Sequence, residues 1–138
     1  MCLLYDKCGW FAMKILFYFF KNVHIPLLEP IISKLSLHNI EIYFASPEHN
    51  PQIREGLSPI EKQGLKQGTW LNHSNEIVAD VALMADCVAD RLQQHKCIVN
   101  IGHGLISKGQ YYSNSPLIGR ENLADILCVP GPWHKETL

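Results

Sequence analysis

Met13-Lys14-Ile15-Leu16-Phe17-Tyr18-Phe19-Phe20 is apolar on both faces, rich in aromatics, and broken by one charge near its start. A half-exposed strand would alternate apolar and polar residues. An unbroken run of this kind suits a central strand of a parallel sheet, buried on both sides. Lys21-Asn22-Val23-His24 reads as the loop at its end, and Pro26 can open a helix because its missing N–H would be unpaired there. Leu27, Leu28, Ile31, Ile32, Leu35 and Leu37 then recur at near-helical spacing to about His38. Pro30 falls in the first turn or so, where proline is tolerated. Ile40 to Ala45 is a second strand, closed by Ser46-Pro47-Glu48-His49-Asn50-Pro51. Such a β-α-β unit crosses over right-handedly in nearly every fold that contains it.

Outward from this unit the pattern first weakens. Between Pro51 and Asn75, Ser58-Pro59-Ile60-Glu61 has the form of a helix start, and Gly64 and Gly68 then punctuate the chain. Trp70-Leu71 suits a short edge element, and His73-Ser74-Asn75 suits a turn. Order returns at Ile77 to Met84, a segment open to helix or strand, with Val81 to Met84 as the expected strand core. Asp86 ends it and can cap a helix from Cys87 to about His95, with Val88, Ala89 and Leu92 toward the sheet. Cys97-Ile98-Val99 is another buried run, Ala124 to Val129 a last strand, and Pro130-Gly131-Pro132 breaks it before a helix begins at Trp133. The alternation predicts a doubly wound, Rossmann-like α/β domain spanning 13–138, with four to five mostly parallel strands and helices on both faces. Residues 1–12, MCLLYDKCGWFA, read as a disordered or misassigned leader.

The chain has 138 residues, enough for one domain that buries roughly 68% of the surface its unfolded form exposes. Twelve basic against thirteen acidic side chains give a net charge of −1, without the broad basic footprint of a nucleic-acid or membrane binder. Five scattered cysteines form no C-x-x-C pair; Cys87, Cys97 and Cys128 lie in apolar segments, as reduced, buried thiols of a cytoplasmic protein would. Seven histidines show no H-x-x-x-H or H-E-x-x-H pairing, so neither a metal site nor a cofactor is expected. Trp10 to Phe20 is too short to span a bilayer.

Chemistry is expected after the Cys97 strand. The segment from Cys97 to Tyr112, CIVNIGHGLISKGQYY, breaks from its apolar run into Gly102-His103-Gly104 and Ser107-Lys108-Gly109. In an open α/β sheet the loops at the carboxyl ends of the strands line the ligand crevice. Glycines on either side of His103 let the backbone approach a ligand closely, and Lys108 can set a cation against phosphate. The spacing is not that of a Walker-type phosphate loop. The same edge is expected to collect Asn22, His24, Ser46 to His49, Asp86 and Pro130-Gly131. A loop histidine of this kind is as often a turn residue as a catalyst, and a lysine such as Lys108 is usually just a solvated side chain.

Four features resemble the amino-terminal domain of two-domain, GT-B-type transferases, and among them the CDP-glycerol glycerophosphotransferases that build teichoic-acid-like polymers. They are the MKILFYF strand, a strand ending Ala85-Asp86, the loop His103-Gly104-x-x-x-Lys108, and Asn122-x-Ala124-Asp125 leading to the strand before Pro130-Gly131. The resemblance implies that His103 is the base that deprotonates the acceptor hydroxyl, a task for which a near-neutral pKa is suited. It implies that Gly102, Gly104, Ser107, Lys108, Gly109 and Asp86 bind substrate. Gly102 stands where the family usually has tryptophan, and Leu105-Ile106 where it has threonine and proline.

The implied partners are a nucleotide-activated donor (CDP-glycerol or a UDP-sugar), a hydroxyl acceptor, and a missing carboxyl-terminal domain or a second copy of this chain. No nucleic acid is implied, and any membrane proximity would come through the substrate alone. The chain is thus expected to be the acceptor-side half of a transferase, inactive without its second domain. The alternatives are a non-catalytic module that binds a nucleotide, a polyol phosphate or a partner domain, and a sugar-nucleotide epimerase-like half.

Overall fold

The computed structural model describes residues 12–47, 68–85, 92–101 and 124–128. Within them six strands form one sheet: β1 (Met13–Tyr18), β2 (Ile40–Ala45), β3 (Thr69–Trp70), β4 (Val81–Met84), β5 (Ile98–Asn100) and β6 (Ile126–Leu127). Their order is β3-β2-β1-β4-β5-β6 and every pairing is parallel. This is the strand order of the doubly wound, Rossmann-type sheet. The count exceeds the expected four to five because Thr69–Trp70, too short to carry a period-2 signal, pairs with Tyr43 and Phe44. Residues 1–11, the capping motif at Ser58, most of the helix expected to begin at Cys87, and the helix expected at Trp133 lie outside the described residues.

β1 takes the centre because its side chains are apolar in both directions. Ile15, Phe17 and Phe19 pack on one face with Ile42, Phe44, Leu83 and Ala85. Leu16 and Tyr18 pack on the other with Ala45, Ala82, Met84 and Ile98. The first face is covered by α1 (His24–Leu35), which buries Ile25, Leu28 and Ile32, a three-then-four spacing that keeps one stripe on the sheet. Beneath it Phe44 meets Phe17, Phe19 and Trp70 with ring centroids 6.2, 5.8 and 5.4 Å away. The second face is covered by Leu71, Ala79 and Leu92.

Several boundaries differ from those the sequence predicts. β1 stops at Tyr18, where Phe19 N donates to Ala45 O at 2.9 Å and the chain turns away. α1 begins at His24, two residues before Pro26, because His24 N and Ile25 N already close turns onto Lys21 O and Asn22 O. Pro30 therefore sits in the second turn, exposed, rather than the first. Residues 92–95 form a turn, closed by His95 N donating to Leu92 O at 3.0 Å.

At the amino edge two aspartates repeat one device. Asp80 N donates to Lys14 O at 2.9 Å while its Oδ2 accepts from Lys14 N, also at 2.9 Å. Asp125 N donates to Ile98 O at 2.9 Å while its Oδ2 accepts from Ile98 N at 2.7 Å. Each carboxylate satisfies a backbone donor that the ladder leaves over where the strand begins, and so fixes the register of its neighbour. Lys96 Nζ adds an ion pair to Asp80 Oδ1 at 2.6 Å. That hydrogen bond, followed by the one from Lys14 N, holds the Asp80 carboxyl below its ordinary pKa. Among the described residues, no helix is long and apolar enough to cross a membrane.

Candidate functional site

Among the described residues, backbone bonds join neighbouring strands at the carboxyl edge: Leu71 N to Phe44 O, Phe19 N to Ala45 O, Ile101 N to Met84 O and Cys128 N to Asn100 O, all between 2.8 and 2.9 Å. Between β1 and β4 the direction in which the sheet is built reverses, which opens a crevice beyond the strand ends. In dinucleotide-binding sheets the turn after β1 carries glycines that admit a pyrophosphate. Here that turn is Phe19-Phe20-Lys21-Asn22-Val23, with no glycine, and the side chain of His24 is fully buried behind it. Its Nδ1 accepts from Lys21 N at 3.4 Å. His24 therefore shapes the turn and does not face the crevice, a correction to its expected place among the lining residues.

A cleft of about 420 Å³ lies at this edge. Tyr18, Ser46 and Pro47 line it from the ends of β1 and β2; His73, Ser74, Asn75 and Gln94 complete it. Tyr18 belongs to the face opposite α1, so the cleft opens on that side. Its walls are held in place. His73 caps the short 3-10 turn Ser74–Glu76 through a reciprocal pair of bonds, with the Glu76 side chain accepting from His73 N at 2.8 Å.

His95, 5% exposed, ties both walls to the sheet. Its Nδ1 accepts from Ala79 N at 3.0 Å, which leaves the ring proton on Nε2, and Nε2 lies 3.2 Å from the Gln94 amide. Burial lowers the His95 pKa below the ordinary 6.5, opposed by a hydrogen bond to the Ser74 backbone. The ring is thus neutral near pH 7 and acts as a pin between Ala79 and the Ser74 backbone.

Of the residues expected to act, Asp86, Gly102, His103, Gly104, Ser107, Lys108 and Gly109 lie outside the described residues, as do His49 and Pro130-Gly131. The described chain reaches their thresholds: Ala85 is fully buried, and Asn100 is buried at the end of β5 just before Ile101. Ser46 does line the cleft. Asp125, part of the resemblance motif, is engaged in holding β5. Cys97 is half-buried and Cys128 exposed, so Cys128 is not the buried thiol its apolar segment suggested. Among the described residues no three His, Cys, Asp or Glu side chains gather as metal ligands do.

Tyr18, Ser74, Asn75 and Gln94 line the cleft although the sequence pattern does not mark them as site residues. The one signal for any of them is that Ser74-Asn75 comes shortly after a short edge strand. No family model matches this sequence, and no curated protein or solved structure matches it either.

Proposed function

We propose that this domain serves the acceptor side of a group transfer in the cytoplasm, in which a glycerophosphate or glycosyl group passes from a nucleotide-activated donor to a hydroxyl. With CDP-glycerol as donor, His103 takes the acceptor's O–H proton. The acceptor oxygen bonds to the glycerol-bearing phosphorus, the P–O bond to the other phosphate breaks, and CMP leaves. The observation that supports this reading is the 2.9 Å bond from Ile101 N to Met84 O, which joins the ends of β4 and β5 beside the switch point. In the sequence, His103 follows Ile101 by two residues and Asp86 follows Ala85 by one.

A second reading is a non-catalytic module that binds the polyol part of a polyol phosphate, which the hydroxyl and carboxamide lining of the cleft favours. Transfer from CDP-glycerol or a UDP-sugar to polyol phosphate acceptors, measured with a donor-binding domain supplied, separates the two. His103→Ala is expected to lower the transfer rate by about 100-fold or more. Unchanged transfer in that variant would remove the base; ligand heat on titration without any transfer would leave the binding module.

A further inference from the structure

We infer that the cleft between Tyr18, Ser46 and the 73–75 turn binds the uncharged, polyhydroxylated part of a ligand, a sugar ring or a polyol chain. Its volume, about 420 Å³, falls within the range of roughly 300–1,000 Å³ typical of small-molecule sites. The lining chemistry then selects among ligands. Ser46, Ser74, Asn75 and Gln94 present hydroxyls and carboxamides, groups that both donate and accept. A ligand hydroxyl has the same dual character, so each such contact can be satisfied in either direction. A phosphate offers acceptors only and calls for Lys or Arg, and an ammonium calls for carboxylates. Among the described residues no Lys, Arg, Asp or Glu side chain lines the cleft, and the imidazole of His73 stands beside the hydroxyls and carboxamides.

Sugars and polyols also carry C–H surfaces. The Tyr18 ring, buried in the sheet face, and the buried Pro47 supply apolar surface for them, while the polar groups come from the walls. Those walls are set before a ligand arrives. The reciprocal bonds between His73 and Glu76 fix the turn that bears Ser74 and Asn75, and His95 joins the Ser74 backbone to the segment bearing Gln94. A preformed site loses little freedom on binding, which is what a weakly attractive neutral ligand requires. His95 is here a positioning residue.

The inference deepens the transferase reading by naming the neutral part of its acceptor, and rests on that reading for its role but not for its binding. The test titrates the full chain with glycerol, ribitol and glucose, and with inorganic phosphate as the charged comparator, following backbone amide shifts. Asn75 and Gln94 are exposed, so Asn75→Ala and Gln94→Ala leave the core intact. Each is expected to weaken polyol binding about fivefold. The inference is overturned if polyols leave the amides of Ser46, Ser74 and Asn75 unmoved, if both alanine variants bind as tightly as the parent, or if phosphate displaces the polyol from these amides. Polyol binding without transfer would count against the transferase reading alone. Transfer with no polyol in the cleft would count against this inference alone.

Discussion

The two edges of the sheet are built from different materials. At the amino edge, side chains complete the backbone: Asp80 and Asp125 each take a strand's leading N–H, Lys96 braces Asp80, and His95 takes the N–H of Ala79. At the carboxyl edge, backbone bonds join the strand ends among the described residues, and Ser46 and Asn75 line a cleft that Gln94 reaches from the segment before β5. Side chains that hold register at the amino edge are committed to the fold, whereas the strand junctions described at the other edge are made by the backbone. The difference assigns stability to one end of the strands and recognition to the other, and it can be broken by substitution.

The largest expected effect belongs to Gly68, which leads into β3. A Cβ there would overlap the Phe44 ring and come within 2.9 Å of Ile42 Cγ2, under the edge of the aromatic cluster. Gly68→Ala should destabilise by about 3 kcal/mol in a urea titration, since the edge strand must move outward or the ring must leave its place. Next is His95→Ala, which orphans the buried Ala79 N–H and removes packing. Its expected cost is about 2 kcal/mol, and it should also loosen the cleft walls, lowering ligand affinity. Asp125→Ala is expected to cost about 1–2 kcal/mol, and Asp125→Asn, which keeps an acceptor for Ile98 N, less than half of that. Asn75→Ala, on the recognition edge, should change stability by no more than about 0.5 kcal/mol. A cost there equal to that of Asp125→Ala would erase the contrast.

Acid sharpens the comparison further, because the two groups whose pKa is lowered, His95 and Asp80, work on the amino side. The folded state lowers the His95 pKa, so the unfolded chain binds the proton more readily; the stability due to a neutral His95 is complete above about 6.5 and declines as pH falls below it. The Asp80 pKa is also lowered by folding, so its contribution is complete above about 3.8 and is lost as pH falls further. Midpoints of urea unfolding across pH should therefore decline in two steps. His95→Ala should abolish the upper step, and Asp80→Asn only the lower.

The fold is legible in the sequence where hydrophobic burial alone decides it. MKILFYFF and IEIYFA announce strands, the expected and observed bounds of β2 coincide, and VALM, open to helix or strand in the sequence, is settled as a strand by its pairing with β1 and β5. β3 is legible only as an edge element, since two residues cannot display a period, and its pairing depends on Gly68 admitting it beside Phe44. The cleft is not legible at all. It gathers single polar residues from the ends of β1 and β2, a turn, and a position four residues before β5, and no local pattern links Ser46 to Gln94. His95 looks in the sequence like the tail of a helix, and only its distance to Ala79 N gives it a task. Conversely, Asp125 carries weight as a family-like motif, and its observed work is structural.

The division of labour between the edges is tested most directly by mapping ligand contacts on the backbone amides of the intact chain, with CDP-glycerol and glycerol phosphate added in turn. The expected result is a cluster of shifts at Phe19, Ser46, Asn75, Ala85 and Ile101, with Lys14, Asp80, Lys96 and Ile98 unmoved. Shifts concentrated on the second group, at the end braced by aspartates, would contradict the assignment of recognition to the carboxyl edge.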